Sequence, residues 1–275
     1  MLTESQLESY RRDGYLLARG LISPAATTDA LMAIDALLCT QCSAFDRSRR
    51  ETVALEVHRK IYALARADRR ALASVYDAIR KVGAFWALVG SDALLSASRQ
   101  LLSSDDVGVA FRGCGIRLDL PSEDRWRSPW HQEYHSQISS MRALTAWCSL
   151  VPVSDAMGPV ELLRGSHVDG LLDVRCPDAM NARRDYTDTF VIPDIDARIA
   201  RYPKSSYETE PGDVLFLDFF TVHQSGLNRD PERSRVSCQI RYFDMLHGSA
   251  VDHAWVGGWQ DGGDFRSLHP EKVIA

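Results

Sequence analysis

Residues Arg235–Phe243 read RVSCQIRYF. Val236, Cys238, Ile240 and Tyr242 fall on one parity, and Arg235, Ser237, Gln239 and Arg241 on the other. Successive side chains of an extended chain point to opposite sides, so this period of two predicts a strand with one apolar and one polar face. Ala143–Val151, ALTAWCSLV, has the same grammar: Leu144, Ala146, Cys148 and Leu150 against Thr145, Trp147 and Ser149. Pro211–Phe219, PGDVLFLDF, reads as a turn running into a further strand. Short strands separated by Gly/Pro turns predict a sandwich or barrel.

Upstream the pattern changes. After Pro24 there is no proline until Pro121, and ten of the eleven prolines lie from Pro121 onward. Proline is costly inside helices, so the first half is free to be largely helical. Thr3 and Gln6 have capping-box spacing ahead of LESYRRDG, and Gly14 stops that helix. YLLARGLI follows as a short strand, and Ser23-Pro24 opens the next helix with a serine cap and a proline in the first turn. The stretch from Asp68 to Leu102 predicts two more helices broken near Gly90. The region from about 170 to 205 has weak periodicity, as expected of a lid or binding loop.

The 275 residues carry a net charge of −5. That balance gives no footprint for nucleic acid, and no apolar run is long enough to span a bilayer. The N-terminus lacks the apolar core of a signal peptide. Six scattered cysteines, at 39, 42, 114, 148, 176 and 238, suit free thiols in a reducing compartment. Together these predict a cytoplasmic protein with no membrane and no nucleic-acid partner. Cys39 and Cys42 form a lone CxxC without the further ligands that zinc requires.

The chemistry concentrates in Pro129–Gln137, PWHQEYHSQ. Pro129 pushes Ser128 away from helical geometry. If the chain stays extended, His131 and Glu133 project to the same side. On its own an HxE pair is a weak signal and reads first as an exposed polar strand. A metal site needs a third ligand from a later strand, and His223 in FLDFFTVHQSGLNRD is the best placed. His58 lies in the helical half; His247, His253 and His269 lie in the irregular tail; His167 sits beside a turn; His135 would join the face only if the strand continued. Two imidazoles and one carboxylate make the facial triad of non-haem Fe(II) oxygenases. Arg235, twelve residues after His223, could fork onto the far carboxylate of 2-oxoglutarate, with Ser225 adding a hydroxyl. Arg233 competes with it for that role.

These segments resemble the phytanoyl-CoA dioxygenase family of Fe(II)/2-oxoglutarate-dependent oxygenases over nearly the full length. LTESQLESYRRDGYLLARGLISP is similar to that family's N-terminal helix and strand. PWHQEYH, ALTAWCSLV, MGPVELLRGSH, PGDVLFLDFFTVHQSGLNRD and RSRVSCQIRYF are similar to its core motifs in their usual order. The resemblance implies an α+β fold, a cupin-like double-stranded β-helix (jelly roll) with the helical half bracing one sheet. It implies a single domain over 1–275, with helical support to about 105, the roll from about 106 to 245, and a tail from about 246. It implies iron on His131, Glu133 and His223, and 2-oxoglutarate on Arg235, helped by Ser225 and Trp147, with Ile116 in the pocket wall and His167 structural.

By the same resemblance O2 is the oxidant, 2-oxoglutarate is split to succinate and CO2, and a C–H bond of a small metabolite or sugar-containing substrate is hydroxylated. The family usually has aspartate where this chain has Glu133, and its arginine usually sits one residue closer to the distal histidine. Arg112, Arg117, Arg125, Arg127, Arg183 and Arg184 suit an anionic substrate, or equally a mixed-charge surface with Asp119, Glu123 and Asp124. Two other functions fit a β-roll with these histidines. One is a cupin-like metal enzyme that does not use 2-oxoglutarate, for which Arg235 would be superfluous. The other is a non-catalytic binding module.

Overall fold

The computed structural model describes residues 1–123, 127–176, 190–257 and 264–274. Arg125, Arg183, Arg184 and Asp124 therefore lie outside the described residues, as do residues 177–189 of the region read as a lid.

Helix α1 (Glu4–Asp13) starts on the expected capping box: the Thr3 hydroxyl accepts from the Gln6 amide while the Gln6 side chain accepts from the Thr3 amide. It ends at Gly14, whose φ of +77° is left-handed. A Cβ there would also meet the His167 ring at 2.4 Å, so only glycine lets the helix turn into β1 (Tyr15–Ala18). Helix α2 (Pro24–Gln41) is capped by Ser23 with Pro24 in its first turn. Then come α3 (Val53–Ala67), α4 (Arg69–Ile79), α5 (Gly83–Val89) and α6 (Asp92–Leu102). The expectation of two helices between 68 and 102 falls one short. The break at Gly90 exists, but the chain also leaves helical pairing after Ile79 and restarts at Gly83.

Apart from β1, the strands begin at the change of period near residue 106. Strands β2 (Val107–Val109), β3 (Gly115–Asp119), β4 (Ala143–Ser149), β5 (Glu161–Leu163) and β6 (Val174–Arg175) lead to α7 (Ile195–Arg201), β7 (Lys204–Ser206), β8 (Val214–Asp218), β9 (His223–Gln224) and β10 (Arg235–Asp244). Short elements α8 (Gly248–Asp252), α9 (Phe265–Leu268) and β11 (Val273–Ile274) give the tail more structure than its sequence suggests. The larger sheet runs β1-β8-β4-β10-β2, with β3 on the same edge of β10 as β2. The smaller runs β7-β5-β9. The pairs are antiparallel, and the two sheets form a jelly roll.

Strands β4 and β10 explain why the alternation mattered. Both are central and buried on both faces. Leu144, Ala146, Cys148, Val236, Cys238, Ile240 and Tyr242 join one apolar core with the helices. The opposite parity faces into the roll. A buried ion pair, Lys60 Nζ to Asp35 Oδ1 at 2.5 Å, staples α3 to α2. The Cys39 thiol lies 3.4 Å from the same ammonium, and Cys39 and Cys42 are both free. Among the described residues no helix is long and apolar enough to cross a membrane.

Candidate metal centre

His131 and His223 face each other across a single antiparallel bridge, each amide donating to the other's carbonyl at 3.0 Å. This bridge extends the smaller sheet past β9 and brings the ring centroids within 4.3 Å. Each Nδ1 lies against a backbone carbonyl: His131 against Pro129 at 2.7 Å and His223 against Thr221 at 2.9 Å. A carbonyl only accepts, so both protons sit on Nδ1 and both Nε2 lone pairs are left for a metal. Burial drives the rings toward the neutral form. It is the main reason that His223 is pushed down to about 3, with His131 beside it adding to the effect, and it lowers His131 too.

The expected strand through HxE is shorter than its sequence suggests. Gln132 is extended (φ −104°, ψ 140°), so Glu133 does project with His131, but Glu133–His135 is already a 3-10 turn. His135 therefore leaves the metal face; its Nε2 donates to the Leu172 carbonyl at 3.0 Å. Gln132 points away as well. Its amide nitrogen donates to the carbonyls of Gly170 (2.8 Å) and Phe220 (2.7 Å), and its oxygen accepts from the Leu172 amide (2.9 Å).

Glu133 is 2 % exposed. Its Oε1 receives Arg241 through Nε at 3.1 Å and Nη2 at 3.0 Å, and its Oε2 receives the Thr145 hydroxyl at 3.2 Å. Burial alone would raise this carboxyl, but Arg241 and the two imidazoles outweigh it and hold it down at about 2. Oε2 lies 3.8 Å from His223 Nε2. One ligand atom from each of His131, Glu133 and His223 falls within 4.8 Å of the others, the one such cluster among the described residues. Two imidazole lone pairs and one carboxylate oxygen, buried and converging, are a donor set that suits a divalent transition metal.

The triad opens into a cavity of about 180 Å³ between the two sheets. Ile116, Trp147 and Ser225 line it, together with Arg80, Arg112 and Arg117. Arg235 stands behind that wall. It is 3 % exposed and forks onto Asp119 through Nε (3.1 Å) and Nη2 (3.0 Å), while Nη1 donates to the carbonyls of Gly226 (3.3 Å) and Met157 (3.5 Å). Arg117 meets the other oxygen of Asp119 at 2.9 Å. Burial would raise Asp119, yet the two guanidinium groups hold it down at about 2. Arg233 is at the surface, paired with Asp230 at 2.6 Å. Arg127 lies outside the cavity wall and reaches the Ser225 carbonyl at 3.4 Å. His167 lies away from the triad, its Nε2 against the Arg11 carbonyl at 3.0 Å.

A family model for phytanoyl-CoA dioxygenase matches residues 10–237. The chain belongs to the phytanoyl-CoA dioxygenase family. With that family comes the enzyme class, an oxygenase dependent on Fe(II) and 2-oxoglutarate. Solved structures show the same fold at low identity. The epimerase SnoN, crystallised with Fe3+, alpha ketoglutarate and nogalamycin RO, is 20 % identical, with a TM-score of 0.58 over 91 % of this chain and 88 % of that one. EctD from S. alaskensis with bound Fe is 18 % identical, with a TM-score of 0.56 over 89 % and 77 %. The carbocyclase SnoK from nogalamycin biosynthesis is also 18 % identical, with a TM-score of 0.56 over 88 % and 84 %. No curated protein matches the chain.

Sequence reasoning missed Arg241, Thr145, Arg80 and Gln132 as parts of the site. The available signal for Arg241 is its parity, on the polar face of the RVSCQIRYF strand. Arg80 gave none, because it comes from beyond the end of α4 and reaches the cavity by packing; its Nη2 donates to the Arg112 carbonyl at 2.7 Å.

Proposed function

We propose that this protein hydroxylates an unactivated C–H bond of a small anionic metabolite, using His131, Glu133 and His223 to hold Fe(II). The convergence of those three buried ligand atoms carries the reading. Bound there, the iron supplies the oxidising chemistry by which 2-oxoglutarate and O2 become succinate and CO2 while a substrate C–H becomes C–OH. The protein's own residues do the rest. Pro129 and Thr221 carbonyls fix the imidazole tautomers. Trp147, Ile116 and Leu217 give the cavity dry walls that restrict water at the reacting carbon.

The distal carboxylate of 2-oxoglutarate goes to a guanidinium beside Ser225. Arg235 is the first choice, releasing Asp119 as the co-substrate enters, since its Nη1 already lies at the carbonyl of Gly226. Arg117 is a second reading favoured by one observation: it lines the cavity and Arg235 does not. For the substrate, Arg80 and Arg112 supply positive charge in the cavity lining. Tyr76 and Arg117 also border a second cavity of about 390 Å³ between α4 and β3, which gives a larger substrate room to extend.

Hydroxylation is preferred over halogenation because Glu133 fills the position that a halide would need and already supplies the negative ligand. The test is a screen of small carboxylates, phosphates and sugar derivatives with Fe(II), 2-oxoglutarate, O2 and excess chloride. Succinate release above the substrate-free rate, with an oxygenated product in the mass spectrum, is expected. A chlorinated product would remove Glu133 from the coordination sphere, and no stimulation by any anionic compound would remove the anionic substrate class.

A further inference from the structure

The geometry points to Arg241 as a positioning residue that restricts Glu133 to one metal-facing oxygen, keeping a coordination position open for O2. This rests on the proposed metal site and deepens it.

A glutamate ligand has a liability that an aspartate has less of. Its extra methylene lets the carboxylate swing until both oxygens bind the same ion. A facial triad gives up three positions to protein. A two-oxygen grip by Glu133 would take a fourth, and 2-oxoglutarate bound through two atoms would take the last two. Nothing would then remain for O2.

The side chains around Glu133 oppose that grip. Arg241 comes from the cavity face of β10 and holds Oε1 with two nitrogens at 3.1 and 3.0 Å. The guanidinium is itself fixed: Nη2 donates to Gln239 Oε1 at 3.0 Å and Nη1 to the Gly113 carbonyl. A planar fork gripped at both ends has little freedom to follow a swinging carboxylate. Thr145, on the neighbouring strand β4, donates to Oε2 at 3.2 Å. That leaves Oε2 as the oxygen 3.8 Å from His223 Nε2. Arg241 and Glu133 are 8 % and 2 % exposed, so water competes weakly for either.

The proposal also fixes a sign. A guanidinium beside a metal site repels the incoming dication, so its removal should leave divalent metal bound as tightly as before, or more tightly. A residue that merely supports the fold predicts the reverse, because loosening the site weakens metal binding.

The experiment uses the full chain, anaerobically, with Arg241→Met and Arg241→Lys. Two quantities are read: the Kd for Fe(II), and nitric oxide capture by the Fe(II)/2-oxoglutarate protein from the S = 3/2 electron paramagnetic resonance signal. Nitric oxide reports the position that O2 would use. We expect Arg241→Met to bind Fe(II) at least as tightly as the unaltered protein and to lose at least nine-tenths of the nitric oxide signal, with Arg241→Lys intermediate. Unchanged nitric oxide capture in Arg241→Met overturns the proposal. So does Fe(II) binding weakened tenfold or more in both variants, which would make Arg241 a structural support. If the unaltered protein fails to bind Fe(II), it is the metal-site reading that falls.

Discussion

The two faces of β10 are both buried and yet are built on different rules. Val236, Cys238, Ile240 and Tyr242 are fully buried against helices, and what they contribute is volume. On the other face the long polar side chains are tied to partners: Arg235 to Asp119, Gln239 to Arg241, and Arg241 to Glu133. One strand thus carries the fold on one parity and the chemistry on the other. Damage to the first should appear as lost stability, and damage to the second as lost binding or turnover.

The largest effect tests that division at its sharpest point. His131→Ala, Glu133→Ala and His223→Ala should each abolish Fe(II)-dependent succinate release. The two histidine variants should leave the circular dichroism spectrum and thermal midpoint nearly unchanged, because the large apolar core does not depend on the metal, whereas Glu133→Ala should keep the fold at a lower midpoint, since it strands the buried Arg241. Near-normal turnover in any of the three would remove that residue from the ligand set.

The opposite face should behave inversely. Ile240→Ala should cost about 2–5 kcal/mol in urea unfolding, from lost burial and the cavity left behind, with no change in 2-oxoglutarate KM measured at low temperature. A raised KM at intact stability would mean that the faces are coupled.

A smaller effect concerns the arginines. Arg235→Ala should raise the 2-oxoglutarate requirement on the order of tenfold to a hundredfold, a charge-assisted fork being worth roughly 1.5–3 kcal/mol, and Arg233→Ala should do almost nothing. A larger defect in Arg117→Ala than in Arg235→Ala would move the anchor to the arginine that lines the cavity.

The smallest effect lies on the helical side. His58, in α3, is buried and pushed down to about 4, mainly by desolvation. An unfolded histidine takes up a proton near 6.5, so stability conferred by the neutral native ring is present above that pH and is lost between about 6.5 and 4. About 1 kcal/mol should be gone by pH 5.5, and His58→Asn should flatten that part of the stability profile. An unaltered slope would assign the acid sensitivity to other groups.

Much of this division was legible beforehand. The two-residue period in 143–151 and 235–243 marks both strands and sorts their side chains by face, because a strand's geometry is local. The caps at Thr3, Ser23 and Gly14 are equally local. What could not be read was anything depending on distance across the fold. Arg80 arrives from the helical half, and Arg235, in the right strand, is held by Asp119 from β3. The HxE pair projected as expected, although the supporting strand is one bridge long, because hydrogen bonding to His223 substitutes for sequence-local pairing.

Gln132 has a consequence of a different kind. Its amide joins the chain between two ligands to Gly170, Leu172 and Phe220, using two donations and one acceptance. A glutamate of the same size could make the acceptance but neither donation. Anyone grafting a foreign loop near residue 170 to alter selectivity is therefore also editing the spacing between His131 and Glu133, and a transplant that fails to return a carbonyl at 170 and an amide at 172 should detune the metal from behind, without touching it.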